Sequence, residues 1–313
     1  MLYYSYNNYL KEKFACRVYK VSIDAGFTCP NRDGTKGFGG CTFCDETGSS
    51  SRTHLQGTSI TKQVQKNIAI RKSRYKAKKF IAYFQSHTNS YAPTNQLKKI
   101  YDEAIEADPD IIGLTISTRP DCIDEKKLAL IASYKKRLPY VSIEYGMQTK
   151  HDKTLKAINN CSTHNDFLKA IELTKKYDLD HCVHVILGLP NEGRKQLLET
   201  ANTLAKLDIQ GIKIHLLVAM ENTPLAQSYL RGKWHPLTFE EYIPLVCDFI
   251  ERLPPSCVIH RLSGNGHPKH LVAPRWAYDR RNDVRKAITD LLSKRSTRQG
   301  SLYMQSKETL LSQ

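Results

Sequence analysis

The sequence predicts an α/β fold, a partial (β/α)6 barrel of the TIM type followed by a basic, largely helical C-terminal extension. Three observations lead there. Six short β-branched or aromatic runs alternate with amphipathic stretches, the pattern of β/α units built on a parallel sheet. Within the runs polar and apolar residues alternate with period two, so each strand offers one apolar face to helices and one polar face to a lumen. Directly after the first run comes TCPNRDGTKGFGGCTFC, a loop at the strand end where β/α barrels place their active sites.

The first strand is read at Arg17 to Asp24, with Lys20, Ser22 and Asp24 on one face and Tyr19, Val21 and Ile23 on the other. Ile60, Val64 and Ile68 mark one face of the next helix. Strands follow at Phe80 to Gln85 and at Ile111 to Thr118, where Gly113, Thr115, Ser117 and Arg119 alternate with Ile112, Leu114 and Ile116. The fourth strand, Tyr140 to Tyr145, sets Ser142, Glu144, Gly146 and Gln148 against Val141, Ile143 and Tyr145. Thr163 with Asp166 three residues on forms a capping box, and Leu168 and Ile171 continue that helix. His181 to Leu187, carrying His184, is the fifth strand, and Leu197, Ala201 and Leu204 give the helix after it. Ile212 to Val218 is the sixth, with Lys213 and His215 on the polar face.

A closed eight-stranded barrel fills its interior with Val, Ile and Leu. Polar inner faces imply a partly open barrel with room for a ligand. A helix at Phe239 to Arg252, a break at Pro254 and Pro255, and a short strand at Val258 to Leu262 complete the body. Residues 1–262 are therefore assigned to the barrel, with the cysteine loop at 29–44, and 263–313 to an extension packed on it.

Forty-seven Lys and Arg against 31 Asp and Glu give a formal net charge of +16. From Thr47 to Tyr101 there is no Asp or Glu, while Arg52, Lys62, Lys66, Arg71, Lys72 and Arg74 fall there. A second basic concentration includes Arg280, Arg281 and Arg285. Such clusters favour nucleic acid through counterion release. The N-terminus shows no basic and apolar leader pattern, and no apolar run approaches the roughly 20 residues of a membrane helix. A cytoplasmic protein is expected.

Of nine cysteines, Cys16, Cys122, Cys161, Cys182, Cys247 and Cys257 are scattered singly and are read as buried thiols. Cys29, Cys41 and Cys44 stand together in the loop. Structural zinc takes four protein ligands, and a zinc reading would recruit His54 or His87. A [4Fe–4S] cluster held by three cysteines instead keeps one iron open to a ligand that is not protein.

The cysteine loop, Phe43 before its last cysteine and the GLP turn at Gly188 to Pro190 resemble the radical S-adenosylmethionine (SAM) superfamily. VYKVSIDAGFTCPNRDGTKGFGGCTFC, YFQSHTNSYAP, GLTISTRPDC, IEYGMQT, ILGLP, HRLSGNG and the later RQG are similar to its YtqA/YhcC-like branch, which is related to the radical SAM domain of the Elongator catalytic subunit. The resemblance implies a [4Fe–4S] cluster on Cys29, Cys41 and Cys44 whose open iron chelates SAM. Reductive cleavage would give a 5′-deoxyadenosyl radical, with an electron donor such as flavodoxin or ferredoxin. It places Phe43 at the adenine, Gln85 and Ser86 at the methionine amino group, Glu144 at the ribose hydroxyls, and Gly188 over the adenine. It implies tRNA rather than DNA or a membrane as partner, and chemistry on the 5-substituent of the wobble uridine, U34. One departure stands out: relatives carry an INRGHT-like segment where this chain reads INNCST, with Asn160 replacing the arginine. Alternatives are an anionic small-molecule substrate, as in the oxygen-independent coproporphyrinogen oxidases, or a zinc-stabilised RNA-binding module.

Overall fold

The computed structural model describes residues 1–48, 58–264 and 266–303; Arg52, His54 and Asn265 of HRLSGNG lie outside the described residues. Helix α1 (Tyr6–Phe14) opens the chain, with the Ser5 hydroxyl accepting from the Asn8 amide. Then come β1 (Val18–Ile23), α2 (Ile60–Tyr75), β2 (Lys79–Phe84), α3 (Thr94–Glu106), β3 (Ile111–Thr118), α4 (Glu125–Ser133), β4 (Tyr140–Gln148), α5 (Asp152–Ala157), α6 (His164–Lys176), β5 (Asp180–Leu187), α7 (Arg194–Lys206) and β6 (Gly211–Leu216). The C-terminal part adds β7 (Ala219–Met220), α8 (Pro224–Leu230), α9 (Phe239–Ile250), β8 (Val258–Arg261), β9 (Leu271–Ala273), α10 (Trp276–Asp279) and α11 (Asp283–Lys294).

Seven strands form one parallel sheet in the order β1-β2-β3-β4-β5-β6-β8, the half-barrel with helices that the alternation predicts. The six read strands match within a residue or two, except that β4 runs on to Gln148, where a register shift keeps it paired with β5. The short strand after the Pro254–Pro255 break joins β6 as the seventh. Outward apolar residues such as Val21, Phe84, Ile116, Ile143 and Ile214 bury against Val64 and Ile68 of α2, Leu97 and Tyr101 of α3, Phe167 of α6 and Leu204 of α7. Together these apolar faces make one core, each buried aliphatic or aromatic side chain contributing about 1.5–3 kcal/mol.

The helix α1 was not read from the sequence. It packs on both β1 and β8, the two ends of the sheet, with a bridge from Ser5 to Ile259, and so closes the floor of the gap between them. At the other end of the chain, Val284, Ile288 and Leu292 of α11 are buried, and α11 packs on α9. The RQG segment is a clamp. Gln299 donates to the carbonyls of Pro254 (2.6 Å) and Cys257 (2.7 Å) and accepts from the Tyr4 amide (2.8 Å). No described helix is long and apolar enough to cross a membrane.

Candidate active site

The cysteine loop leaves the mouth end of β1 and is held by its own backbone. The Cys29 carbonyl accepts from the amides of Arg32 (2.7 Å) and Asp33 (3.2 Å), Gly40 N donates to Asn31 O (2.8 Å), and Cys44 N to Cys41 O (2.9 Å). Gly37 has a specific reason to lack a side chain: a Cβ there would fall 2.4 Å from Asn31 Oδ1 and 2.6 Å from Cys161 Sγ. Asn31, fully buried, donates to Cys41 Sγ (3.6 Å) and to the Asn159 carbonyl (2.5 Å), while Asn159 donates to Phe38 O and Gly40 O. Thr42 bonds through its backbone to Ile158 and to Leu225 of α8. The loop is thereby fastened to the INNCST segment after α5.

Arg119, just past β3, lies beside this loop. Its guanidinium makes a two-point pair with Asp121 (2.9 and 3.0 Å) and donates to Asn160 Oδ1 (3.3 Å). Burial opposes its charge, but Asp121 outweighs that and raises its pKa further, so Arg119 is a fixed cation within electrostatic reach of Cys29 and Cys41. Nothing in the spacing of Arg119 and Asn160 foretells this pairing. The signal available was Arg119 continuing the polar face of its strand.

Phe43 packs on the apolar cluster containing Ile186 and Leu189, on either side of Gly188. Gly188 adopts φ +87°, and its carbonyl accepts from Trp234 Nε1 (3.3 Å). Gln85 follows β2 and takes a weak bond from Ser22 Oγ (3.4 Å), and Ser86 beside it is buried. These four positions, with the cysteines, all lie at strand ends on the mouth side.

Glu144 sits deeper. It is fully buried at mid-strand, and its carboxylate accepts from Lys20 (2.5 Å), Tyr83 (2.8 Å), His184 (2.8 Å) and Lys213 (2.5 Å). Burial alone would raise its pKa, yet Lys20 and Lys213 hold it well below the carboxylate range. The structure thus makes Glu144 the counter-ion of two lumen lysines, and a ribose contact would require one of its donors to leave. Burial brings Lys213 down to about 8 despite Glu144, and brings His184 down to about 4, leaving a neutral imidazole that donates its Nε2–H. His215 lies next to His184, ring centroids 5.2 Å apart, with a buried Nε2 that has no partner among the described residues.

Two residues of β8 belong to this region, one of them through a β-bulge. His260 faces the lumen because Ile259 before it faces the helices, and the β6–β8 register slip between Ile212 and Lys213 then sets Arg261 opposite Lys213. His260 stacks on Tyr6 of α1 (4.0 Å) and fills the space left by Gly211, where a Cβ would be 2.6 Å from its Nε2. Glu144, Cys182 and His184 could bring ligand atoms within 4.8 Å of one another. Two ammonium groups already neutralise that carboxylate, and burial pushes the Cys182 thiol well up, so the arrangement suits the lysines rather than a metal ion.

The sequence profile of the Radical SAM superfamily matches residues 29–204, and that of the Radical_SAM C-terminal domain matches 209–291. The chain belongs to the radical SAM superfamily. It is 36% identical to the uncharacterized protein YtqA of Bacillus subtilis over 98% of this chain and 94% of that protein, and 34% identical to protein YhcC of Escherichia coli over 87% and 86%. A partial match, 27% identical over 43% of this chain and 25% of the other, is to a tRNA uridine(34) acetyltransferase of Methanocaldococcus jannaschii. Among solved structures, Elp3 of Methanocaldococcus infernus shares the fold, with TM-score 0.70 at 16% identity over 92% of this chain and 67% of that one.

The cofactors of this radical SAM protein are a [4Fe–4S] cluster and SAM, and the loop fits the cluster. Its three cysteines are free of disulfides. Burial, then the neighbouring Cys44 and Cys29, pushes the Cys41 thiol to about 12, so thiolates gathered here require a cationic centre among them. Superfamily membership overturns the zinc-stabilised RNA-binding alternative, since the cysteine triplet belongs to a radical SAM profile. The expectation of buried single thiols holds for Cys122, Cys182, Cys247 and Cys257. It fails for Cys16, which is half-buried, and for Cys161, which is exposed because its loop lies over the cysteine loop at the surface.

The two basic regions differ in a way that composition does not reveal. Arg280 is paired with Glu240 (2.8 Å) and lies over the Phe239 ring, and Arg281 donates to the Tyr278 carbonyl. Arg285 is exposed. On α2, Lys72 is paired with Asp110, whereas Lys62, Lys66 and Arg74 are exposed with no carboxylate partner among the described residues.

Proposed function

We propose that this radical SAM enzyme modifies tRNA, acting on the 5-substituent of the wobble uridine U34. Bound at the mouth, cluster and SAM supply a one-electron cleavage that delivers a carbon-centred radical able to take hydrogen from an unactivated carbon. Cys29, Cys41 and Cys44 would hold the cluster, and Phe43, Gly188, Gln85 and Ser86 would receive SAM. Arg119, a fixed cation beside the cysteine loop, would take the part of the arginine that Asn160 replaces and meet the SAM carboxylate. The lumen below, with Lys20, Glu144, His184, Lys213 and His215, would hold the reacting substituent away from water. An electron donor such as flavodoxin or ferredoxin would serve the cluster.

The unanswered positive charge of α2 carries the tRNA reading, because phosphates are the partner it fits. The partial likeness to a tRNA uridine(34) acetyltransferase supports it. The test is mass spectrometry of nucleosides from bulk tRNA of a strain lacking the gene. Loss of one U34 derivative with build-up of its precursor is expected.

A second reading has one observation in its favour. The lumen sets two lysines on the single carboxylate of Glu144, with Arg261 within electrostatic reach of His184, Lys213 and His215, a surplus of positive charge that would also suit an anionic small molecule. An unchanged nucleoside profile under aerobic and anaerobic growth would select it.

A further inference from the structure

Helix α2 connects β1 to its parallel neighbour β2, so it runs antiparallel to them along the free edge of the sheet, from the mouth at Ile60 to the floor at Tyr75. Its 16 residues span about 24 Å. Val64 and Ile68 face the core, which leaves Lys62, Lys66, Ile70 and Arg74, at i, i+4, i+8 and i+12, as a solvent stripe. Ile70 is 49% exposed, one of few large apolar side chains left outside.

An aromatic pair closes this stripe at its floor end. Tyr75 stacks on Tyr19 of the edge strand, with centroids 5.1 Å apart and planes 18° from parallel. The Arg71 guanidinium lies 5.6 Å from the Tyr75 ring and 5.9 Å from the Tyr19 ring, and the Arg74 guanidinium 5.4 Å from Tyr75. Arg17 donates to the Tyr75 carbonyl (2.9 Å). Arg71 Nε is buried without a hydrogen-bond partner among the described residues, a donor committed to the platform and left unsatisfied by it. Stacked tyrosines with arginines beside them, at the end of a row of unpaired cations, match what unpaired nucleotides require: phosphate contacts along the strand and a flat ring for a base.

We propose that the outer face of α2 is a track for single-stranded RNA, with Lys62, Lys66 and Arg74 on successive phosphates and the Tyr19–Tyr75 pair as a stacking platform. The proposal rests on the reading that tRNA is the substrate. It adds a place and a direction: the strand enters at the floor edge and is led toward the cysteine loop. It also separates the two basic regions, since the ion-paired Arg280 would contribute little.

Salt-dependent binding of an unmodified tRNA transcript bearing U34 to the holoprotein tests it. Replacing Lys62, Lys66 and Arg74 together by Gln is expected to weaken binding at least tenfold and to flatten the log-affinity against log-salt slope by about 2, roughly 0.7 per lost phosphate contact. Tyr75→Ala should weaken binding roughly fivefold or more with the slope unchanged, while Tyr75→Phe, which keeps the stack, should bind as wild type. The Arg280→Gln variant should change binding by less than about twofold, as expected of a surface ion pair. Wild-type affinity in the α2 triple variant would overturn the track and leave the tRNA reading standing. A wild-type protein that binds this tRNA no better than duplex DNA or anionic phosphatidylserine vesicles would overturn both.

Discussion

Lys213 Nζ lies 2.5 Å from Glu144 Oε2 and 2.8 Å from the Tyr83 hydroxyl, in a barrel lumen where Glu144 has no solvent exposure. The pair joins β4 to β6 across the intervening β5, and Lys20 brings β1 to the same carboxylate. One carboxylate thus ties together strands from both halves of the sheet.

Glu144→Gln leaves Lys20 and Lys213 buried without their counter-ion and is expected to cost about 3–5 kcal/mol in denaturant unfolding. Lys213→Met should cost well under that, because Glu144 keeps Lys20, Tyr83 and His184. Equal losses in the two variants would contradict this account of the lumen.

Alanine at Cys29, Cys41 or Cys44 is expected to abolish the bound iron and the brown colour of anaerobically reconstituted protein. Cys161→Ala and Cys122→Ala should keep about four irons per chain. Iron analysis and the visible spectrum decide it.

Arg119→Met is expected to weaken SAM binding at least tenfold in equilibrium dialysis while leaving the iron content unchanged. Adding Asn160→Arg, the residue of the relatives' segment, should restore part of it. Unaltered SAM affinity in Arg119→Met would remove Arg119 from the site.

Burial lowers His181 and His184 from 6.5 to about 4, so both stay neutral in the fold where the unfolded chain is protonated. The unfolded state binds the extra protons between those values, and stability is lost as pH falls from 6.5 toward 4, by up to about 3 kcal/mol for each histidine. His181→Gln should flatten the fall of unfolding free energy with pH across that window; a slope unchanged by the substitution would contradict it.

Period-two alternation made the fold readable, because six strands each show a helix-facing and a lumen-facing side and Ile111–Thr118 came out to the residue. The cysteine loop was readable for a similar reason, since three thiols at that spacing have few uses. What stayed hidden depends on contacts between distant segments. Tyr6 is one polar-looking residue in YNNYLKEKF until the fold sets it on His260. His260 faces inward as alternation from the core-facing Ile259 would put it, but Arg261 stands opposite Lys213 only through a bulge, which alternation cannot foretell. The substitution at Asn160 was visible, but its partner Arg119 lies 41 positions away and is joined to it only in space. Charge counting sets the two basic regions side by side, whereas the structure pairs Arg280 with Glu240 and Lys286 with Asp290, and on α2 pairs Lys72 with Asp110 but leaves Lys62, Lys66 and Arg74 without a carboxylate among the described residues.

Radical chemistry at the cysteine loop is tested most directly by anaerobic SAM cleavage by reconstituted protein under dithionite, with 5′-deoxyadenosine measured by mass spectrometry. Wild type should release 5′-deoxyadenosine, Cys44→Ala none, and tRNA from a strain lacking the gene should raise the yield. Wild-type protein with a full cluster that releases no 5′-deoxyadenosine, with or without tRNA, would contradict that chemistry.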